Sequence, residues 1–231
     1  MKFLLLSFLV LLISIETRGQ EQYLTDARDG QQYLTAEVNG SRWMLENLNY
    51  LSTKSIGLSP AQQETYPHVQ GRYYHQEELD SVCPTGWRLP GMTDWLSYFE
   101  FLGQQHQAEI SYKSYRDHVE IRDYDDQFQL FAEDSPLHLK FGGIYEGDEL
   151  IIKGDYVNYW LQDLTSSADM GERDLLERLG IKRVRKVYGG TSHIHLGHPW
   201  TQIHSHEHHL DPADEASLRR FMVRCIEIDQ P

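Results

Sequence analysis

Cysteine is almost missing from this chain: Cys83 and Cys225 are the only two in 231 residues. A disulfide-dense mini-scaffold, a four-cysteine metal knuckle and a C-x-x-C redox pair are therefore excluded. Basic charge is scarce as well, with 21 Lys and Arg against 35 Asp and Glu and a formal charge of -14. Such a surface repels phosphate backbones and anionic lipid, which argues against nucleic acid and membrane surfaces as partners. The local signatures of much enzyme chemistry are lacking too. There is no G-x-S-x-G elbow, no P-loop, no G-x-G-x-x-G and no D-x-D-x-D-G calcium loop. Paired carboxylates for glycoside hydrolysis need no local motif and stay open at this level. The remaining composition, 40% apolar and 24% charged, is that of an ordinary globular chain.

Long apolar runs are also lacking, with one exception. Lys2 precedes Phe3 to Ile15, interrupted only by Ser7 and Ser14, and polar Glu16 to Gln20 follow. The run is shorter than the roughly 20 residues a membrane-spanning helix needs. It reads as a secretory signal, residues 1–19, cut after Gly19. A retained anchor is the competing reading. On the signal reading, residues 20–231 form one exported domain in an extracytoplasmic place, whether secreted, periplasmic or at the cell surface, with no membrane attachment after cleavage. In an oxidising compartment an even cysteine count favours one structural disulfide, Cys83 with Cys225. Two free thiols at a reactive site are the alternative.

The pattern of what is present is mostly strand-like. Leu34, Ala36 and Val38 alternate with polar residues, and Asn39-Gly40 supplies the two positive-φ positions of a type I′ turn. A two-residue loop pairs Val38 with Ser41, Glu37 with Arg42 and Ala36 with Trp43. Residues 49–71 are polar and aperiodic and read as a long surface excursion. Thr93 or Asp94 caps a helix through Trp95, Leu96, Phe99 and Leu102, with Gly103 as its stop. A second helix is expected over Glu172 to Leu179, before Gly180. Strand, turn and strand are expected over 141–153, another strand over Asp155 to Trp160, and a continuous central strand over Phe221 to Ile228. Acidic residues between 117 and 134 read as a solvated face, and Lys182 to Lys186 as the one basic cluster. The fold class is α+β, mixed mostly antiparallel strands with two main helices.

Four groups of residues carry a family resemblance. They are Thr25 to Tyr33 with Arg42 to Tyr50; Gly71-Arg72-Tyr73-Tyr74 with Cys83 to Pro90 and Asp94-Trp95; Phe141-Gly142-Gly143 through Trp160; and Val223-Arg224-Cys225. In this order the chain resembles the Fibrobacter succinogenes major paralogous domain family of exported bacterial proteins, over about residues 25 to 228. The resemblance implies a C-type lectin-like fold in which a long disulfide ties the first helix region to the last strand, placing Cys83 and Cys225. The calcium-and-sugar elements of lectins of that fold, Glu-Pro-Asn, Gln-Pro-Asp and Trp-Asn-Asp, do not occur here.

The most unusual stretch is a histidine-rich insertion near residues 191–212, which holds seven of the twelve histidines between His193 and His209. In an extended chain, residues two apart share a face about 6.5 to 7 Å apart. His193 with His195, and His204 with His206 and His208, are thus candidate ligands for zinc or copper. H-E-x-x-H is not met, because position 210 is Leu. A solvated polar loop is the plain alternative. Two functions result. The first is an exported non-enzymatic module that displays a surface for a glycan or an extracellular protein, with Tyr156, Tyr159 and Trp160 as stacking residues and no catalytic residue. The second is a divalent-metal-binding protein, or a metal-dependent hydrolase, using the His193–His209 segment. No cofactor is firmly implied by either.

Overall fold

The computed structural model describes residues 21–115, 118–123, 135–152, 156–162, 170–181, 191–197, 201–206 and 219–228. Residues 1–20, which include the expected signal, the acidic residues 124–134, the basic cluster Lys182 to Lys186, and His198, His208 and His209 lie outside the described residues.

In chain order the strands are β1 (Gln22–Thr25), β2 (Gln32–Val38), β3 (Ser41–Met44), β4 (Ile56–Gly57), β5 (Arg72–His75), β6 (Trp87–Arg88), β7 (Ile110–Ser114), β8 (His118–Asp123), β9 (Ile144–Glu146), β10 (Glu149–Ile151), β11 (Tyr156–Leu161), β12 (Thr191–Gly197), β13 (Thr201–His206), β14 (Arg219–Met222) and β15 (Ile226–Glu227). The helices are α1 (Pro60–Thr65), α2 (Met92–His106) and α3 (Met170–Arg178), with a 3-10 segment over Gln76–Ser81. The strands form a five-stranded sheet, β1-β2-β3-β15-β6, and a ten-stranded one running β10-β9-β14-β11-β12-β13-β8-β7, with β4 and β5 joined to β14. Every named ladder is antiparallel except β11 with β14. The molecule is α+β and mostly antiparallel, as its sequence pattern implies.

The β2–β3 hairpin has the expected register, with Val38 opposite Ser41 and Ala36 opposite Trp43. Asn39 and Gly40 both take positive φ, 51° and 79°. Ahead of it, β1 adds a strand that the sequence pattern does not announce. The turn between β1 and β2 is built on Asp26, whose side chain is buried against Arg28 at 2.7 Å. Burial opposes ionisation of that carboxyl, but the hydrogen bonds and charge of Arg28 prevail and hold it below the usual range.

Helix α2 starts at Gly91 rather than at Thr93 or Asp94. Asp94 instead accepts the Gly91 N–H at 2.6 Å and pairs with Arg88 through both oxygens. The helix passes through Gly103 and stops at Gln107, whose φ is 54°. Gly103 serves packing, since a Cβ there would come within 2.7 Å of Ile110 Cγ1. The apolar face of α2 fills the space between the sheets, where Trp95 meets Trp43 of β3 at 5.2 Å and Tyr159 of β11 at 6.0 Å. The expected single strand over 221–228 is two, because Val223 to Cys225 cross from the large sheet to the small one. There Leu48 and Met44 donate their N–H groups to Val223 and Cys225 oxygens. Cys83 and Cys225 stand at disulfide distance, Cα atoms 6.0 Å apart.

Candidate functional site

Among the described residues, two of the places that gather polar side chains bear on function, and the first was signalled by the sequence. It is one face of the large sheet. The histidine-rich segment is a hairpin, β12 and β13, lying between β11 and β8 rather than a loop, because Ile194, Leu196 and Ile203 alternate with the histidines and are buried. Register sets Trp160, His193, His204 and His118 in one row across four strands. The imidazoles of His193 and His204 lie 5.1 Å apart and 18° from parallel, those of His204 and His118 5.3 Å apart and 27° from parallel. Tyr115 closes the row on His118 at 4.4 Å. In the next row His195 stacks on Tyr156, and its Nδ1 donates to Asn158 Oδ1 at 2.8 Å. Burial pushes the His195 imidazole pKa down, so the neutral ring is favoured.

Stacked rings turn faces, not in-plane lone pairs, toward each other, whereas a shared metal needs those lone pairs to converge. Among the described residues no group of three His, Cys, Asp or Glu side chains is placed to hold a metal ion. Of the expected ligands, His193 and His204 are neighbours, and His195 turns to Asn158. His206 is placed by its backbone opposite Thr191, and His208 lies outside the described residues. The expected stacking surface also changes. Tyr159 is fully buried on the opposite face, its hydroxyl donating to Asn47 Oδ1 at 2.9 Å. Trp160 is 2% exposed, with Nε1 donating to the Tyr74 carbonyl. Of the three, Tyr156 alone is partly accessible, and its hydroxyl donates to the Ile151 carbonyl at 3.2 Å.

The second place is a cleft of ≈ 460 Å³ between the start of β2, the segment after β3, and α1. Ser59 and Gln62 form a reciprocal capping box and Pro60 opens the helix, which gives so short a helix a defined start. The Tyr145 hydroxyl donates to Gln62 Oε1 at 3.0 Å and fixes α1 on β9. This presents Gln63 and Tyr66 to the cleft, facing Gln32 and Glu46, with Gln70 beside them. The floor is Asn47 and Gly71. Asn47 Nδ2 donates to the Gln70 carbonyl and to Met222 Sδ, and its Oδ1 accepts from Tyr159 and from Arg224 at 2.8 Å. Gly71 has φ +97°, and a Cβ there would meet Asn47 Cβ at 2.6 Å. Only glycine lets the chain close over Asn47.

The groups that carry the family resemblance thus meet in one place: Glu46-Asn47, Gly71 to Tyr73, Tyr159 and Arg224. The sequence pattern of the Fibrobacter succinogenes major domain matches residues 36–227. This chain belongs to the Fibrobacter succinogenes major domain family. No curated protein and no solved structure matches it. For a Fibrobacter succinogenes major domain, the cleft is the better furnished of the two places. No Lys or Arg lines it, and Glu46 is its single carboxylate. One oxygen of that carboxylate accepts the Leu34 N–H at 2.7 Å. Among the described residues, the side-chain amides of Gln32, Gln63 and Gln70 make no hydrogen bond. The cleft was missed in the sequence because one of its walls, Leu58 to Gly71, falls in the stretch read as a surface excursion. The S-P-x-Q capping signature at Ser59 to Gln62 was the signal that could have found it.

Proposed function

We propose that this chain is an exported, non-enzymatic binding module of C-type lectin-like architecture that presents a site for a glycan or extracellular protein. The observation that supports it most is the cleft. Its floor is held by the fully bonded Asn47, while amide groups on its walls keep hydrogen-bonding capacity for a ligand. Export accords with the apolar run at Phe3 to Ile15 and with paired cysteines. Two measurements test the reading. Fractionation of cells expressing the full chain should place it outside the cytoplasm, beginning near residue 20. A glycan array and a screen of extracellular proteins should give saturable binding with no turnover. An uncleaved cytoplasmic chain, or a folded one that binds neither class, overturns it.

Zinc or copper binding at the histidine segment is the second reading, supported by His193, His195 and His204 sharing one sheet face. Its test is a titration of metal-free protein, prepared without a histidine tag, against the variant with His204, His206 and His208 changed to Ala. Submicromolar, near-stoichiometric binding lost in the variant favours it. Weak binding that the variant retains removes it.

A further inference from the structure

We infer that the cleft between β2 and α1 takes an uncharged, hydroxyl-rich sugar and discriminates against acidic ones, an assignment that rests on the binding-module reading. The argument is one of matching chemistry. A carboxamide offers donors and an acceptor in one plane, and a sugar hydroxyl is both donor and acceptor, so an amide can engage neighbouring hydroxyls together. Gln32, Gln63 and Gln70 supply such groups from three different segments, each side chain exposed in the cleft. Tyr66 is half-buried there, and its ring offers the apolar edge against which the C–H face of a pyranose packs. Glu46 adds a carboxylate that accepts from hydroxyls.

Charge sets the selectivity. With one carboxylate and no cation in the lining, a uronate or sulfate would meet repulsion without compensation. Two basic side chains beside the floor are committed: Arg224 is buried beneath it on Asn47, and Arg72 donates to Ser55. A neutral sugar meets none of this penalty. The polar floor costs nothing to expose to ligand, because Asn47 is already satisfied by protein groups.

The experiment is calorimetric titration of the full chain with cellotetraose, maltotetraose and mannotetraose, and with tetragalacturonate as the acidic counterpart of equal length. It is repeated with Gln63→Ala, Gln70→Ala, Glu46→Gln and Tyr156→Ala, each checked for native circular dichroism. The Gln63 and Gln70 side chains are exposed, so these variants keep the fold. The expected result is binding of at least one neutral tetrasaccharide, weakened about tenfold by Gln63→Ala and by Gln70→Ala, as loss of one net hydrogen bond implies. Glu46→Gln should narrow the gap between neutral and acidic ligand. Neutral-sugar binding unchanged in the glutamine variants, or lost in Tyr156→Ala instead, overturns the cleft assignment while leaving the binding module intact. Preference for tetragalacturonate overturns the ligand class. Binding of extracellular protein with no sugar response overturns the inference and leaves the protein arm of the module standing.

Discussion

The Asn47 side chain joins four separate parts of this molecule. Its amide bonds reach the loop at Gln70, strand β11 at Tyr159, strand β14 at Met222 and the buried guanidinium of Arg224. Arg224 is 1% exposed, and its described partners are Asn47 and the Leu137 carbonyl, with no carboxylate among them. Asn47→Ala therefore strips a partner from a buried cation, a phenol and a carbonyl, and should cost about 3 kcal/mol or more in urea unfolding. His195 and Asp26 both tie stability to pH, in the same direction. His195 has a lowered pKa in the fold, so an unfolded chain binds its proton more readily. Its contribution is complete above about pH 6.5 and is lost as pH falls below it. The melting temperature of the wild type should fall more between pH 7 and 5 than that of His195→Gln. Asp26 is also held low, by Arg28. Its stabilisation is present above about pH 4 and is lost as pH falls through the lowered native value. Arg28→Met should move the acid-unfolding midpoint to higher pH, as followed by tryptophan fluorescence.

At the scale of elements, what could be read locally was legible. The β2–β3 hairpin follows from Asn39-Gly40 and alternation, and its register is the one the turn imposes. Strands β9 and β10 and strand β11 fall where the aromatic and β-branched residues place them. What failed depended on contacts far along the chain. Gly103 looks like a helix stop, yet it is a close-packing site against Ile110, and nothing near it in sequence says so. An apolar run such as Phe221 to Ile228 does not show that two sheets share it. The histidine segment shows both sides of this. Its extended character was legible from spacing, but stacking of His193 on His204 and His118 arises from pairing between β12, β13 and β8. The cleft is the extreme case, because Gln32, Glu46, Gln63 and Gln70 converge only through the Asn47 floor. The Gly71 turn that closes this floor is correspondingly intolerant. Gly71→Ala adds a Cβ at 2.6 Å from Asn47 Cβ and strains a positive φ. It should lower the melting temperature and weaken any ligand held in the cleft.

Among the described residues the molecule is two sheets with α2 packed between them, and the chain passes from one sheet to the other several times, last at residues 219–228. Residues 219–228 supply β14 to the large sheet and β15 to the small one, and Cys225 between them is at disulfide distance from Cys83 across a separation of 142 residues. Closing so long a loop restricts the unfolded chain by about 4 to 5 kcal/mol in the chain-entropy account. The double variant Cys83→Ala, Cys225→Ala should therefore lose unfolding free energy on that order and unfold at a lower urea midpoint, with the native spectrum kept in the absence of denaturant. The apolar interior, with Trp43, Trp95 and Tyr159 in contact from three elements, does not depend on that bond.

Strand β14 has partners on both sides, β5 along one edge and β9 then β11 along the other. Strand β15 likewise sits between β3 and β6. Neither sheet is continuous without residues 219–228, so this one segment couples the two sheets through pairings that join residues far apart along the chain. Loops that long are entropically costly to close, so joining the two sheets is slow beside formation of the β2–β3 hairpin.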